Sequence, residues 1–140
     1  MTPKTVTVHM MYRDACNYKN SDFFVFTNNT GLDDEFIADK LSALEGDGII
    51  STYYSIPNMA PFDNEFISTP GDDHSYTEYT DIEFDKHTED DHGDEPDTDI
   101  SEVIEAIDDE DIVRERRKVA YDEAVKHLEK ELKELKELQL

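Results

Sequence analysis

Between Asp63 and Asp111 the chain carries 21 aspartates and glutamates against one cation, Lys86, so 49 residues hold a net charge of −20. Carboxylates at that density repel one another and resist dehydration, so they cannot line a core. They must decorate a surface or stay solvated, and the remaining chain has to supply the buried residues. The sign of the charge then changes abruptly, in Arg114, Arg116, Arg117 and Lys118. Residues 1–113 hold 29 acidic and 5 basic residues, whereas 114–140 hold 7 and 8. Only 36% of the 140 residues are hydrophobic, against roughly 45–50% in ordinary globular domains on a scale that also counts glycine. About one domain with solvated parts is expected.

The charge distribution excludes some partners and favours others. Nucleic-acid binding draws on cations that displace phosphate counterions, and this surface repels the phosphate backbone. An anionic membrane is disfavoured for the same reason. A cationic partner is favoured, with encounter accelerated by the long-range field. The opening MTPKTVTV contains no apolar signal run, and no stretch approaches the roughly 18 apolar residues of a membrane span. The lone Cys16 excludes an internal disulfide, and a cytoplasmic location follows as the simplest expectation. Asn28, Asn29 and Thr30 match a glycosylation sequon, which carries little weight without a secretion signal.

Hydrophobic periodicity predicts an α+β fold. Val6, Val8, Met10 and Tyr12 alternate with Thr5, Thr7, His9 and Met11, the pattern of a strand with one buried face. Residues 17–21 read as a turn and 23–27 as a second strand, giving a hairpin. Asp33 is a candidate N-cap, with Leu32 and Ile37 at the two ends of a hydrophobic staple. Phe36, Ile37, Leu41 and Leu44 give the helix one apolar stripe, ended by Gly46 or Gly48. Residues 49–56 suit a strand, and Pro57, Pro61 and Pro70 punctuate an irregular stretch. In residues 76–85 Thr80, Ile82 and Phe84 are expected on one face, with Tyr79, Asp81 and Glu83 on the other. The result is a ββαββ unit over 1–85, a small antiparallel sheet backed by one helix. Residues 86–98 contain no apolar side chain and read as an acidic linker. The region 99–140 is then helical: Asp99 caps a short helix bearing Ile100, Val103, Ile104 and Ile107, and residues 108–111 lead a longer one. In that second helix Tyr121, Val125, Leu128, Leu132 and Leu135 are spaced 4, 3, 4, 3, a coiled-coil-like seam of about two heptads.

No constellation carries catalytic chemistry. His9, Asp14 and Cys16 suggest a thiol nucleophile, yet seven residues of extended chain separate His9 from Cys16 by up to ~23–25 Å. His74, His87 and His92 lie among carboxylates without zinc-ligand spacing. Calcium loops need oxygens at alternate positions around a glycine, and neither Gly71 nor Gly93 fits that frame. Carboxylate pairs are too abundant for any one to be informative, and there is no glycine-rich phosphate loop. The expectation is a protein with no enzymatic activity, no cofactor and no dedicated metal.

The acidic stretch can be a solubilising linker, but it also extends onto a predicted strand and is interleaved with Phe62, Phe66, Tyr76, Tyr79 and Phe84. Duplex DNA carries one charge per ~1.7 Å of axis, so twenty carboxylates match the phosphates of roughly ten base pairs. A rigid surface of Asp72, Asp73, Glu78, Asp81, Glu83 and Asp85, with Asp108, Asp109, Glu110 and Asp111 second, is the candidate binding site for a basic, nucleic-acid-binding protein. The competing expectation is an assembly protein that dimerises through Tyr121, Val125, Leu128, Leu132 and Leu135. The four cations after Ile112 and Val113 are expected either to neutralise the acidic segment in cis or to border the acidic surface.

Three stretches, YRDACNYK (12–19), DGIISTYYSIPN (47–58) and YTDIEFD…DEPDTD (79–99), resemble a loosely defined set of small acidic proteins from phages and mobile elements. In these a short α+β unit is followed by an acidic tail. The resemblance spans about residues 5–100, leaves out the final helix, and brings no functional residues with it. It implies a phage-borne role, by analogy of composition with nucleic-acid mimics that disable restriction or CRISPR effectors in the host cytoplasm.

Overall fold

The computed structural model describes residues 4–13, 18–60, 64–67, 76–85 and 98–139. The chain adopts the expected α+β class. Strands β1 (Thr5–Arg13), β2 (Lys19–Thr27), β3 (Gly48–Ile49) and β4 (Thr77–Phe84) form one antiparallel sheet in the order β2-β1-β4-β3. Helix α1 (Asp34–Ser42) follows β2, and α2 (Ile100–Asp108) and α3 (Glu110–Leu138) follow β4.

Alternation explains β1. Val6, Val8, Met10 and Tyr12 are buried on the face that meets Phe24 and Phe26 of β2. Ile37 and Leu41 of α1 and Ile100, Val103 and Ile104 of α2 close over them, a helical 3–4 spacing in both cases. Residues 99–108 therefore share a core with the 1–85 unit. Leu32 and Ile37 both reach that core, as the staple requires, while Phe36 is exposed. Asp33 makes no side-chain cap bond.

Four expectations need correction. The second strand starts at Lys19 rather than Phe23, because Arg13 and Lys19 still pair across the hairpin. Residues 49–56 do not form a strand. Pairing stops at Ile49 with Thr77, where β4 itself begins, so residue 50 onward has no partner strand. The chain winds instead into a 3₁₀ helix (Ser51–Tyr54), and Ile50, Tyr53 and Ile56 recur every third residue and are buried. β1 does not have one buried face: it is a central strand, and Thr5 and Thr7 on its second face are buried as well. The faces of β4 change over part-way along it. His9 pairs with Asp81 but Met10 pairs with Tyr79, leaving Thr80 as the extra residue of a bulge. Thr80 is exposed, its hydroxyl donating to the His9 carbonyl at 3.1 Å, and Tyr79 turns into the core. Apart from Thr98, the acidic linker 86–98 lies outside the described residues.

Asp99 ties the two halves together. Its carboxylate accepts from the Thr27 hydroxyl (3.0 Å), the Asn29 amide (2.6 Å), the Thr30 hydroxyl (2.6 Å) and, as N-cap of α2, the Ser101 amide (3.2 Å). Burial alone would raise its pKa; the bonds from Thr30, Ser101 and the Asn29 amide outweigh that and hold it at about 2, below the ordinary 3.8. Beside it, Asn28 is buried, its Nδ2 donating to the Leu32 carbonyl (2.8 Å) and its Oδ1 accepting from the Leu32 amide (3.0 Å), a structural role for the first residue of the sequon-like triplet.

A carboxyl whose folded pKa is depressed stabilises the fold above its unfolded pKa, and that stability is lost as pH falls from about 4 towards about 2. Replacing Asp99 by Ala should cost roughly 0.5–2 kcal/mol in urea unfolding at neutral pH, with the difference from the wild type shrinking across that acid window.

Candidate partner-binding surface

β4 is the strand that organises the acidic residues. Across the β1–β4 ladder Glu83 lies opposite Thr7, Asp81 opposite His9 and Glu78 opposite Met11, and cross-strand partners share a face. Asp85 follows one residue beyond β4, with its amide donating to the Thr5 carbonyl at 2.9 Å. Glu78, Asp81 and Glu83 thus stand on the face away from α1 and α2, with Asp85 at the end of the strand. Strict alternation would separate Glu78 from the odd-numbered three. The bulge at Thr80 switches the parity and brings Glu78 into the row. Successive side chains on one face of a strand are ~6.6–6.8 Å apart, comparable with the separation of successive phosphates along a wound strand.

The members of the row differ in how they are held. Glu83 pairs with His9 Nε2, and the His9 ring lies 5.9 Å from that of Phe23. Asp85 accepts from the Thr5 amide at 3.0 Å, and its left-handed backbone (φ 54°) suits an aspartate at a strand end. Glu78 and Asp81 make no such bond among the described residues. Asp81 and Asp85 are exposed, whereas Glu78 and Glu83 are half-buried. Asp72 and Asp73 lie outside the described residues, as do Asp14, Cys16, His74, His87 and His92.

The second acidic group lies at the α2–α3 junction and is largely engaged there. Asp108 bridges to Lys40 of α1 (2.7 Å), Asp109 caps α3 through the Asp111 amide (3.0 Å), and Asp111 pairs with Arg114 (2.6 Å). Glu110 is exposed in the first turn, where the helix dipole favours it. No hydrogen bond or ion pair among the described residues joins this group to the β4 row.

The basic residues after the acidic stretch dock α3. Arg116 donates to the Tyr53 carbonyl (2.6 Å) and the Ser55 hydroxyl (3.0 Å). Arg117 donates to Glu65 at 2.6 Å, with its guanidinium 5.5 Å from the Phe66 ring centroid. Asn64 donates to the Ala120 carbonyl at 2.8 Å, a buried contact, and Ala120 packs on Ile50 and Tyr53. Glu65 also accepts from the Tyr53 and Tyr76 hydroxyls, both at 3.2 Å. Nothing in the sequence singled out Asn64 or Glu65, which sit in an irregular, proline-flanked stretch with no periodicity to read. An open cleft of about 270 Å³ lies beside this joint, lined by Thr52, Tyr53, Asn64, Arg116, Val119 and Glu123. Its one cation already serves the docking. Among the described residues no group of three or more His, Cys, Asp or Glu is placed to hold a metal.

Of the seam residues, Val125 is half-buried. Tyr121, Leu128, Leu132 and Leu135 are each more than half exposed, the Tyr121 ring meeting Phe66 edge-on at 5.3 Å. Among the described residues no helix is long and apolar enough to cross a membrane. No family model, curated protein or solved structure significantly matches the chain.

Burial, followed by the neighbouring Glu65 carboxylate, drives the Tyr53 phenol well above its ordinary 10.0, and burial, with Asp81 and Glu45 behind it, pushes Tyr79 up to about 12. A raised folded pKa gives stability that is complete below the unfolded value and lost as pH rises through the folded one. Ultraviolet titration should therefore show late ionisation of these phenols, accompanied by weakening of the fold between pH 10.0 and about 12. Separately, Arg116→Met should lower stability by roughly 1–3 kcal/mol in denaturant unfolding, because it leaves the Tyr53 carbonyl without its charged donor.

Proposed function

We propose that the chain is a non-enzymatic binding protein whose β4 carboxylates stand in for nucleic-acid phosphates to a basic, nucleic-acid-binding protein. The observation that supports the reading most is the row of Glu78, Asp81 and Glu83 on one side of a hydrogen-bonded strand, facing away from α1 and α2, with Asp85 at the strand end. Anions held on a sheet keep their spacing, so the cost of ordering them is met in folding rather than at binding. The net charge of −23 adds long-range attraction for a cationic cleft and repels competing nucleic acid. In this reading the protein works in the host cytoplasm, as an inhibitor of the phage anti-restriction or anti-CRISPR kind, and occupies the channel its target uses for DNA or RNA.

The test is capture of partners from host lysate, repeated at rising salt and with duplex DNA as competitor. Salt and DNA should each release the partner. The double substitution Glu78→Gln with Asp81→Asn removes two charges that take no part in hydrogen bonds or ion pairs among the described residues, and should weaken capture about tenfold while leaving the circular dichroism unchanged. Equal capture by the neutralised protein, or capture indifferent to salt, contradicts the reading.

A further inference from the structure

We infer that the distal half of α3 pairs with the same segment of a second copy, as a short parallel coiled coil. From residue 126 to residue 139 every position of the helix is exposed, about 21 Å of helix at 1.5 Å per residue. Its contacts with the body end upstream, at Ala120, Ala124 and the half-buried Val125. An isolated helix of that length is marginal in water, and this one displays Leu128, Leu132 and Leu135 in a single stripe, each more than half exposed.

The stripe has coiled-coil spacing. Val125 and Leu132 take the a positions, Leu128 and Leu135 the d positions, and the valine at the first a position with leucine at both d positions suits two strands. Successive residues turn by about 100°, so this stripe lies roughly a quarter-turn round the helix from Val113, Arg116, Ala120 and Ala124, which face the body. A second helix can therefore lie along Leu128, Leu132 and Leu135 without displacing the body, Val125 marking where the stripe meets it.

Charge confines a second copy to α3. Residues 1–113 carry 29 acidic residues against 5 basic, so two copies repel one another almost everywhere. Residues 114–140, with 7 acidic and 8 basic, are the exception. In a parallel, in-register pair Glu131 at the g position meets Lys136 at the e position of the other helix, and symmetry repeats the contact. Upstream the d position Tyr121 is met by Phe66, and the next a and d positions fall on Lys118 and Arg114, whose like charges would oppose each other across the axis. That confines the pairing to two heptads and makes it concentration-dependent.

Sedimentation equilibrium of the full chain across a wide concentration range tests this. The wild type should rise from 16.2 kDa to twice that mass. Leu132→Glu should stay monomeric, and since Leu132 is exposed its thermal melt in dilute solution should be unchanged. Lys136→Glu should weaken association about tenfold, and adding Glu131→Lys to it should restore the original affinity. A wild type that is monomeric throughout, or an association indifferent to Leu132→Glu, overturns the pairing. Indifference to Lys136→Glu, or failure of the double exchange to rescue, overturns the parallel arrangement. None of these outcomes depends on the β4 row.

Discussion

The pairing of β4 with β1 is the contact on which the remainder of the molecule depends. It joins residues 78–84 to residues 6–11 across some seventy positions of chain, and closing such a loop is entropically costly. In return β1 becomes a central strand, and its Val6, Val8 and Met10 meet Phe84, Ile82 and Tyr79 on the side that α1 and α2 cover. With that side committed to the core, the carboxylates of β4 have only the opposite side to occupy. The acidic row is thus a consequence of how the core is built, and the bulge at Thr80 lengthens it by one member.

A chain with 36 acidic residues has to place them without destroying its own fold, and this one uses many as internal acceptors. Asp99 and Asp109 cap helices; Glu65 gathers two tyrosine hydroxyls and an arginine; Asp108 links α2 to α1. Those bonds explain why the sign of the charge flips so sharply after Asp111. Arg116 and Arg117 fasten α3 to the 3₁₀ helix and to Glu65, so these two members of the cationic cluster dock the helix. Glu78 and Asp81 lack such partners among the described residues, and they are the carboxylates that internal structure explains least.

Much of the architecture was legible in the sequence because it rests on local periodicity. The alternation in residues 5–12, the 3–4 spacing of Ile100, Val103 and Ile104, and the capping carboxylate of Asp99 all act within a few residues of themselves. What escaped was set by neighbours distant in the chain. Ile49 to Ile56 has strand composition, but whether a strand forms depends on where β4 begins. Tyr79 and Thr80 exchange faces because of a bulge that no alternation pattern signals. The burial of Thr7 follows from β1 lying between two strands. Within the candidate surface, the sequence reading grouped Glu78 with Asp81, Glu83 and Asp85, although strict alternation would part Glu78 from the others; the bulge is what puts it on the side of Asp81 and Glu83. The engagement of Asp108, Asp109 and Asp111 at a helix junction depends on Lys40 and Arg114, whose proximity is a matter of tertiary packing and of helix register.

The account stands on the register of β4, and nuclear Overhauser contacts between β1 and β4 measure it directly. Val8 should contact Ile82 and Met10 should contact Tyr79, with Thr80 skipped and facing solvent. Contacts from Met10 to Thr80 and from Met11 to Tyr79 would mean an unbulged ladder, which would carry Glu78 away from Asp81 and Glu83 and dissolve the row.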